Sequence, residues 1–176
     1  MILDLTYWDN PILRANCQSV EKITDEIKQL VQDMIETMDA KNGVGLAAPQ
    51  IGKDLRIFVI REPIENPDDT ISLGEPQVFI NPNLTNPSKD LEIMSEGCLS
   101  FPGLHLDIIR PLSITVEAMD LDGKNFKQDL VGYKARVIMH ENDHINGKLF
   151  IDRVNPKLRK KIEPDLKKIK AQYSTV

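Results

Sequence analysis

The chain has 176 residues, of which 41% are apolar and 28% charged, and its 22 basic against 27 acidic side chains leave a formal charge of −5. That length suits one domain able to bury a core, so residues 1–176 are expected to form a single domain, and the acidic balance excludes broad phosphate-backbone binding and with it a DNA-binding role. No apolar run approaches the ~18 residues of a membrane span, the first ten residues lack the basic start of a secretory signal, and two cysteines (Cys17 and Cys98) cannot build a disulfide framework. A reducing, cytoplasmic setting is therefore expected.

The first predicted element is a helix over 24–40. Ile27, Leu30, Val31, Met34, Ile35 and Met38 recur at helical spacing, Thr24 can cap the start, and Lys41-Asn42-Gly43 ends it. Short apolar runs at 56–60 and 77–80 predict strands. The three prolines between them predict a surface loop over 61–76. Residues 113–120 partly alternate, 121–124 form a tight turn, and 125–130 return as a hairpin partner. A second helix is predicted over 133–146, with Gly147 just past its end. Asn155-Pro156 opens a basic helix that Pro164 should kink or split. Strands and helices without regular alternation make an α+β fold, with antiparallel or mixed strands packed around the helix at 133–146 and a helix near the C-terminus.

Two of the three histidines lie in His140-Glu-Asn-Asp-His144. Four helical residues turn the chain by ~400°, which puts both imidazoles on one face where they can bind one metal ion. Glu141 sits beside them and can reach a water on that metal. Asp143 reads equally well as a partner orienting a liganding histidine or as a solvated carboxylate. A hydrolytic site also needs a third protein ligand and an open position. Glu163 is one candidate downstream. Cys98, within Ser95-Glu-Gly-Cys-Leu-Ser-Phe-Pro-Gly103, is the better one, since a thiol beside a dication readily loses its proton. In Gly43-Val-Gly-Leu-Ala-Ala-Pro-Gln50, the glycines permit close backbone approach and Gln50 offers an amide N–H to a developing oxyanion; a turn feeding the strand at 56–60 is the plainer reading.

Together, Gly43–Gln50, Glu96-Gly-Cys-Leu-Ser100 and His140–His144 resemble the three motifs of the peptide deformylases, in order and spread over most of the chain. That family removes the formyl group from the N-terminal methionine of nascent proteins and releases formate. The resemblance implies Cys98, His140 and His144 as metal ligands. It implies Glu141 as the residue that takes a proton from a metal-held water and returns it to the leaving amine. It further implies Gln50 and the Leu99 N–H as oxyanion donors, and Val44, Gly45, Leu46, Glu96 and Gly97 as walls and backbone partners of the peptide cleft. The implied metal is Fe²⁺, one per chain, with Zn²⁺, Ni²⁺ or Co²⁺ as substitutes.

Relatives often carry arginine where this chain has Leu104-His105, so His105 reads either as altering peptide recognition or as a surface-loop histidine. The basic residues from Lys157 to Lys170 could meet ribosomal RNA, or simply form a solvated face. Two other readings are a zinc endopeptidase and a non-catalytic metal-binding or ribosome-associated module.

Overall fold

The structure, a computed structural model, describes residues 1–173. Helix α1 (Asp25–Ala40) starts where Thr24 Oγ1 accepts from Ile27 N–H, and its stripe Val31, Met34, Ile35 and Met38 is buried. Strands β1 (Gly45–Ala47), β2 (Ile57–Glu65), β3 (Ile71–Thr85), β6 (Ser113–Met119) and β7 (Asn125–Val131) form one sheet in the order β1-β2-β3-β6-β7. Strands β4 (Leu91–Gly97) and β5 (His105–Pro111) make a separate antiparallel ribbon. Every strand pair is antiparallel.

Helix α2 (Gly132–Ile145) packs on one face of the large sheet and α1 on the other. Strand β2 shows why its apolar run is unbroken. Phe58 and Ile60 enter the cluster with Ile138 of α2, whereas Ile57 and Val59 enter the cluster with Met34 and Met38 of α1. A third cluster joins β5 to helices α3 (Pro156–Lys161) and α4 (Glu163–Tyr173) through Ile108, Phe150, Leu166 and Ile169. The split at Pro164 agrees with expectation, because that proline occupies the first turn of α4, where no N–H partner is needed. Past α2, Gly147 adopts φ +67°, and a Cβ there would strike the Arg14 carbonyl.

The span 61–76 corrects the predicted loop. It is a long hairpin in which Ile64 pairs with Ser72 and Pro63 with Leu73, closed by a turn at 66–70. Its prolines are tolerated because the register shifts between Arg61 and Pro63, and a bulge has no need of every donor. Strands β1, β4 and β5 have no counterpart in the sequence reading, and α2 begins one residue earlier than predicted. Among the described residues, no helix is long and apolar enough to cross a membrane.

Candidate metal centre

Helix α2 carries His140 and His144 side by side, with ring centroids 5.1 Å apart. Cys98 follows directly on β4, and its Sγ lies 3.3 Å from His144 Nε2. One donor atom each from Cys98, His140 and His144 falls within 4.8 Å of the others. Bonds of ~2.0–2.3 Å to a tetrahedral metal would place such donors at comparable separations, so the set fits one small cation. Glu163 belongs elsewhere: it sits on α4 and accepts from Arg159 at 2.7 Å.

Behind the histidines lies a buried ionic network. Glu96 Oε2 faces His140 Nδ1 at 2.9 Å, which leaves the opposite ring nitrogen of His140 for the cluster. Arg110 forks onto both Glu96 oxygens at 2.6 and 2.9 Å, and Arg136 adds a third contact at 2.8 Å. Arg110 also donates to Asp143 at 2.8 Å, and Arg153 grips both Asp143 oxygens at 2.6 Å. Asp143 is therefore neither solvated nor bonded to a histidine. It holds Arg110, which holds Glu96, and Glu96 orients the imidazole.

Electrostatics follow this wiring. Burial alone would raise the Glu96 carboxyl, yet Arg110 and His140 hold it well below the usual carboxylate range. Burial works the same way on Asp143, and Arg153 and Arg110 again win. Glu141 has no such partner among the described residues. It is buried, its Oε2 makes no hydrogen bond among them, and burial pushes its pKa up to about 7. Burial disfavours charge on both imidazoles; it takes His144 well down, helped by His140, whereas Cys98 and Glu96 lift His140 above the ordinary value.

Strand β1 and the 3₁₀ turn after it, Ala48–Ile51, supply the facing wall. A Cβ on Gly45 would lie 2.8 Å from the Glu141 carboxyl carbon, so only glycine lets this backbone lie against that acid. Gln50 is 1% exposed, and its Oε1 accepts from Ala47 N–H at 2.8 Å. That contact fixes the amide so that Nε2 points to Ser100 Oγ at 3.3 Å and Cys98 Sγ at 3.5 Å. The Leu99 N–H donates to no acceptor among the described residues.

All of this borders a cavity of about 560 Å³, lined among others by Val44, Gly45, Gln50, Glu96, Gly97, Cys98, Leu99, His140 and Glu141. The side chain of Leu46 is fully buried in the cluster under α1, so of the two expected roles, wall or backbone partner, only the backbone one is open to it. His105 is exposed, as a surface histidine would be, but it lies on a strand and not in a loop. It opens β5, lines the cavity, and its ring lies where a Cβ on Gly97 would be, 2.9 Å from Nε2.

Sequence reasoning missed Arg110, Arg136 and Arg153. Arg110 did carry a signal, since it continues the buried phase Leu106, Ile108, Arg110 of an alternating strand. A charge on an apolar phase implies a buried partner. Arg136 gives the same signal on the buried face of α2.

Comparison with known proteins agrees with this geometry. The family described as Polypeptide deformylase matches residues 2–160. A peptide deformylase of Borreliella burgdorferi is 40% identical over 160 residues, spanning 91% of this chain and 92% of that protein. The crystal structure of peptide deformylase from Ehrlichia chaffeensis superposes with a TM-score of 0.88 at 35% identity, covering 98% of this chain and 97% of the other. That of the Thermotoga maritima enzyme gives a TM-score of 0.79 at 36% identity, over 89% and 99% of the two chains. The chain belongs to the peptide deformylase family.

Proposed function

We propose that this hydrolase removes the N-formyl group from the N-terminal formylmethionine of newly synthesised proteins, releasing formate. The observation that carries the reading is the meeting of one thiol, two imidazoles and an unpaired buried carboxyl at a single cavity. Cys98, His140 and His144 would hold the metal, which we take to be one Fe²⁺ per chain, with Zn²⁺, Ni²⁺ or Co²⁺ able to substitute. When bound, the metal supplies a Lewis acid that acidifies water and polarises the formyl oxygen.

The chain's own residues do the rest. Glu141 accepts the proton of the attacking water and passes it to the departing amine, a task suited to a carboxyl whose pKa is raised to about 7. The Gln50 amide and the free Leu99 N–H donate to the oxyanion that develops on the formyl group. Val44, Gly45, Glu96 and Gly97 bound the peptide beside it, with the backbone of Leu46. Glu96 holds His140 in one tautomer throughout.

The same reading places the enzyme in the cytoplasm, where a thiol ligand stays reduced. It also gives the exposed Lys157, Lys160, Lys161 and Lys167 of α3 and α4 a partner, the phosphates of ribosomal RNA. Arg159 and Lys170 are instead engaged with Glu163 and Asp9.

The test is formate release from formyl-Met-Ala-Ser by anaerobically purified protein, with metal content measured on the same sample. Expected is turnover that tracks bound iron and declines in air. Bound metal without formate release would overturn the reading, and equal activity with zinc in air would remove iron from it.

A further inference from the structure

The 3₁₀ turn Phe150–Asp152 follows α2 and folds back against it. In such a turn residues three apart stand on the same side, and Arg153, which ends this one at φ −93° and ψ −5°, stays in line with Phe150. On α2, His140 and Asp143 are likewise three apart and share a face. The two pairs meet. The Phe150 ring centroid lies 5.9 Å from that of His140, and Arg153 forks onto both oxygens of Asp143. Buried Phe150 and Ile151 on one side, and Asn155 capping α3 on the other, hold the backbone that presents this fork.

The donors around Asp143 show what the fork controls. Oδ2 accepts from both Arg153 and Arg110, whereas Oδ1 accepts from Arg153 alone among the described residues. The Asp143 side chain is only 8% exposed, so removing Arg153 leaves Oδ1 buried without a donor. The carboxylate then gains by swinging further onto Arg110, the one cation it still touches. Arg110 is already committed through Nε and Nη2 to Glu96, whose Oε2 faces His140 Nδ1. A displaced Asp143 therefore draws the guanidinium off the carboxylate that orients the imidazole. Arg110 and Glu96 are 1% and 5% exposed, but Arg153 is 35% exposed, so the chain of ion pairs reaches the surface at this residue.

We propose that Arg153 is a positioning residue of the metal centre: by fixing Asp143 it holds Arg110 on Glu96, and so keeps the His140 imidazole turned toward the cluster. The inference rests on the reading of Cys98, His140 and His144 as metal ligands. Arg153 itself touches neither the ligands nor the cavity. It acts through three intervening side chains, and its effect on the metal should vanish once the last of them is removed.

The experiment measures Co²⁺ affinity of the full chain by chelator competition, and the visible absorption of the Co²⁺-loaded protein, for the parent, Arg153→Met, Arg153→Lys, Glu96→Ala and the double variant Arg153→Met with Glu96→Ala. Arg153→Met should weaken Co²⁺ binding by roughly three- to tenfold, less than loss of the carboxylate that touches the imidazole. Arg153→Lys, which keeps the charge but not the fork, should recover part of that loss. In the Glu96→Ala background the methionine substitution should change affinity by less than about twofold. Arg153→Met and Glu96→Ala should shift the Co²⁺ absorption in the same direction, because both free the same imidazole. Parental affinity in Arg153→Met, an unshifted Co²⁺ spectrum in that variant, or losses that simply add in the double variant would each overturn the positioning role while leaving the deformylase reading intact. A parent that binds no Co²⁺ would overturn both.

Discussion

Glu96 Oε2 lies 2.9 Å from Nδ1 of His140, and this contact decides which ring nitrogen is free for a metal. Removing a carboxylate that orients a liganding histidine typically costs 10–100-fold in metal affinity. Glu96→Ala is therefore expected to weaken metal binding by about that factor, read by chelator competition. Glu96→Gln should fall between variant and parent, because its amide oxygen can still accept from His140 but cannot satisfy both Arg110 and Arg136. Equal affinity for the parent and Glu96→Ala would separate the carboxylate from the metal site.

Gly45 and Glu141 touch across the cavity, where a Cβ would sit 2.9 Å from Glu141 Cγ. Gly45→Ala should displace the carboxylate and lower turnover by ~10²-fold, the scale on which misplacing a reacting group by about 1 Å acts. The fold should survive, since β1 is three residues long and its register with β2 does not depend on the side chain of residue 45. Full activity in Gly45→Ala, with an unchanged melting temperature, would show that Glu141 has room to spare.

Legibility in the sequence divides by the range of the interactions involved. Helix α1 with its Thr24 cap, the β6–β7 hairpin and the split at Pro164 were readable because caps, turns and apolar periodicity act within a few residues. The β2–β3 extension over 61–76 was not, because its pairing is decided across the hairpin while its prolines resemble a loop locally. Strands β4 and β5 were hidden for a related reason: their outer face exposes Leu91, Ile93 and Ile109, and their inner face carries Glu96 and Arg110, so the alternation is blurred on both sides. The three motifs that resemble a family delivered the metal cluster. They did not deliver Arg110 and Arg153, which matter only through carboxylates distant in sequence.

Arg110 joins two buried carboxylates, each depressed below its ordinary range. A depressed carboxyl contributes stability above its unfolded pKa of ~4, and that contribution is lost as pH falls toward the folded value. The metal-free protein should accordingly lose stability on acidification below about pH 4. Arg110→Met leaves both acids short of a buried partner and should cost roughly 3–5 kcal/mol at pH 7, measured by urea unfolding. With the arginine gone the two pKa values move upward, so the deficit relative to the parent should shrink as pH falls below about 4. A deficit independent of pH would assign the loss to packing alone.

Glu141 presents the opposite case. Its pKa rises to about 7 from an ordinary value of 4.5, because burial opposes its charge and no described residue hydrogen-bonds Oε2. A raised carboxyl destabilises the folded metal-free protein once pH exceeds the unfolded value, and the penalty grows until pH passes the folded one. Across that window it amounts to about 3 kcal/mol, taking 1.36 kcal/mol per unit. Glu141→Gln keeps the shape and removes the charge. It should stabilise the metal-free protein at pH 8 by up to about 3 kcal/mol, with little change at pH 5. It should also retain bound metal and lose ~10²–10⁴-fold in formate release, because the amide cannot carry the proton. Stability and activity moving in opposite directions is the signature of a group kept for chemistry at the expense of the fold. A Glu141→Gln variant that deformylates at the parental rate would remove Glu141 from the proton path, whatever its effect on unfolding.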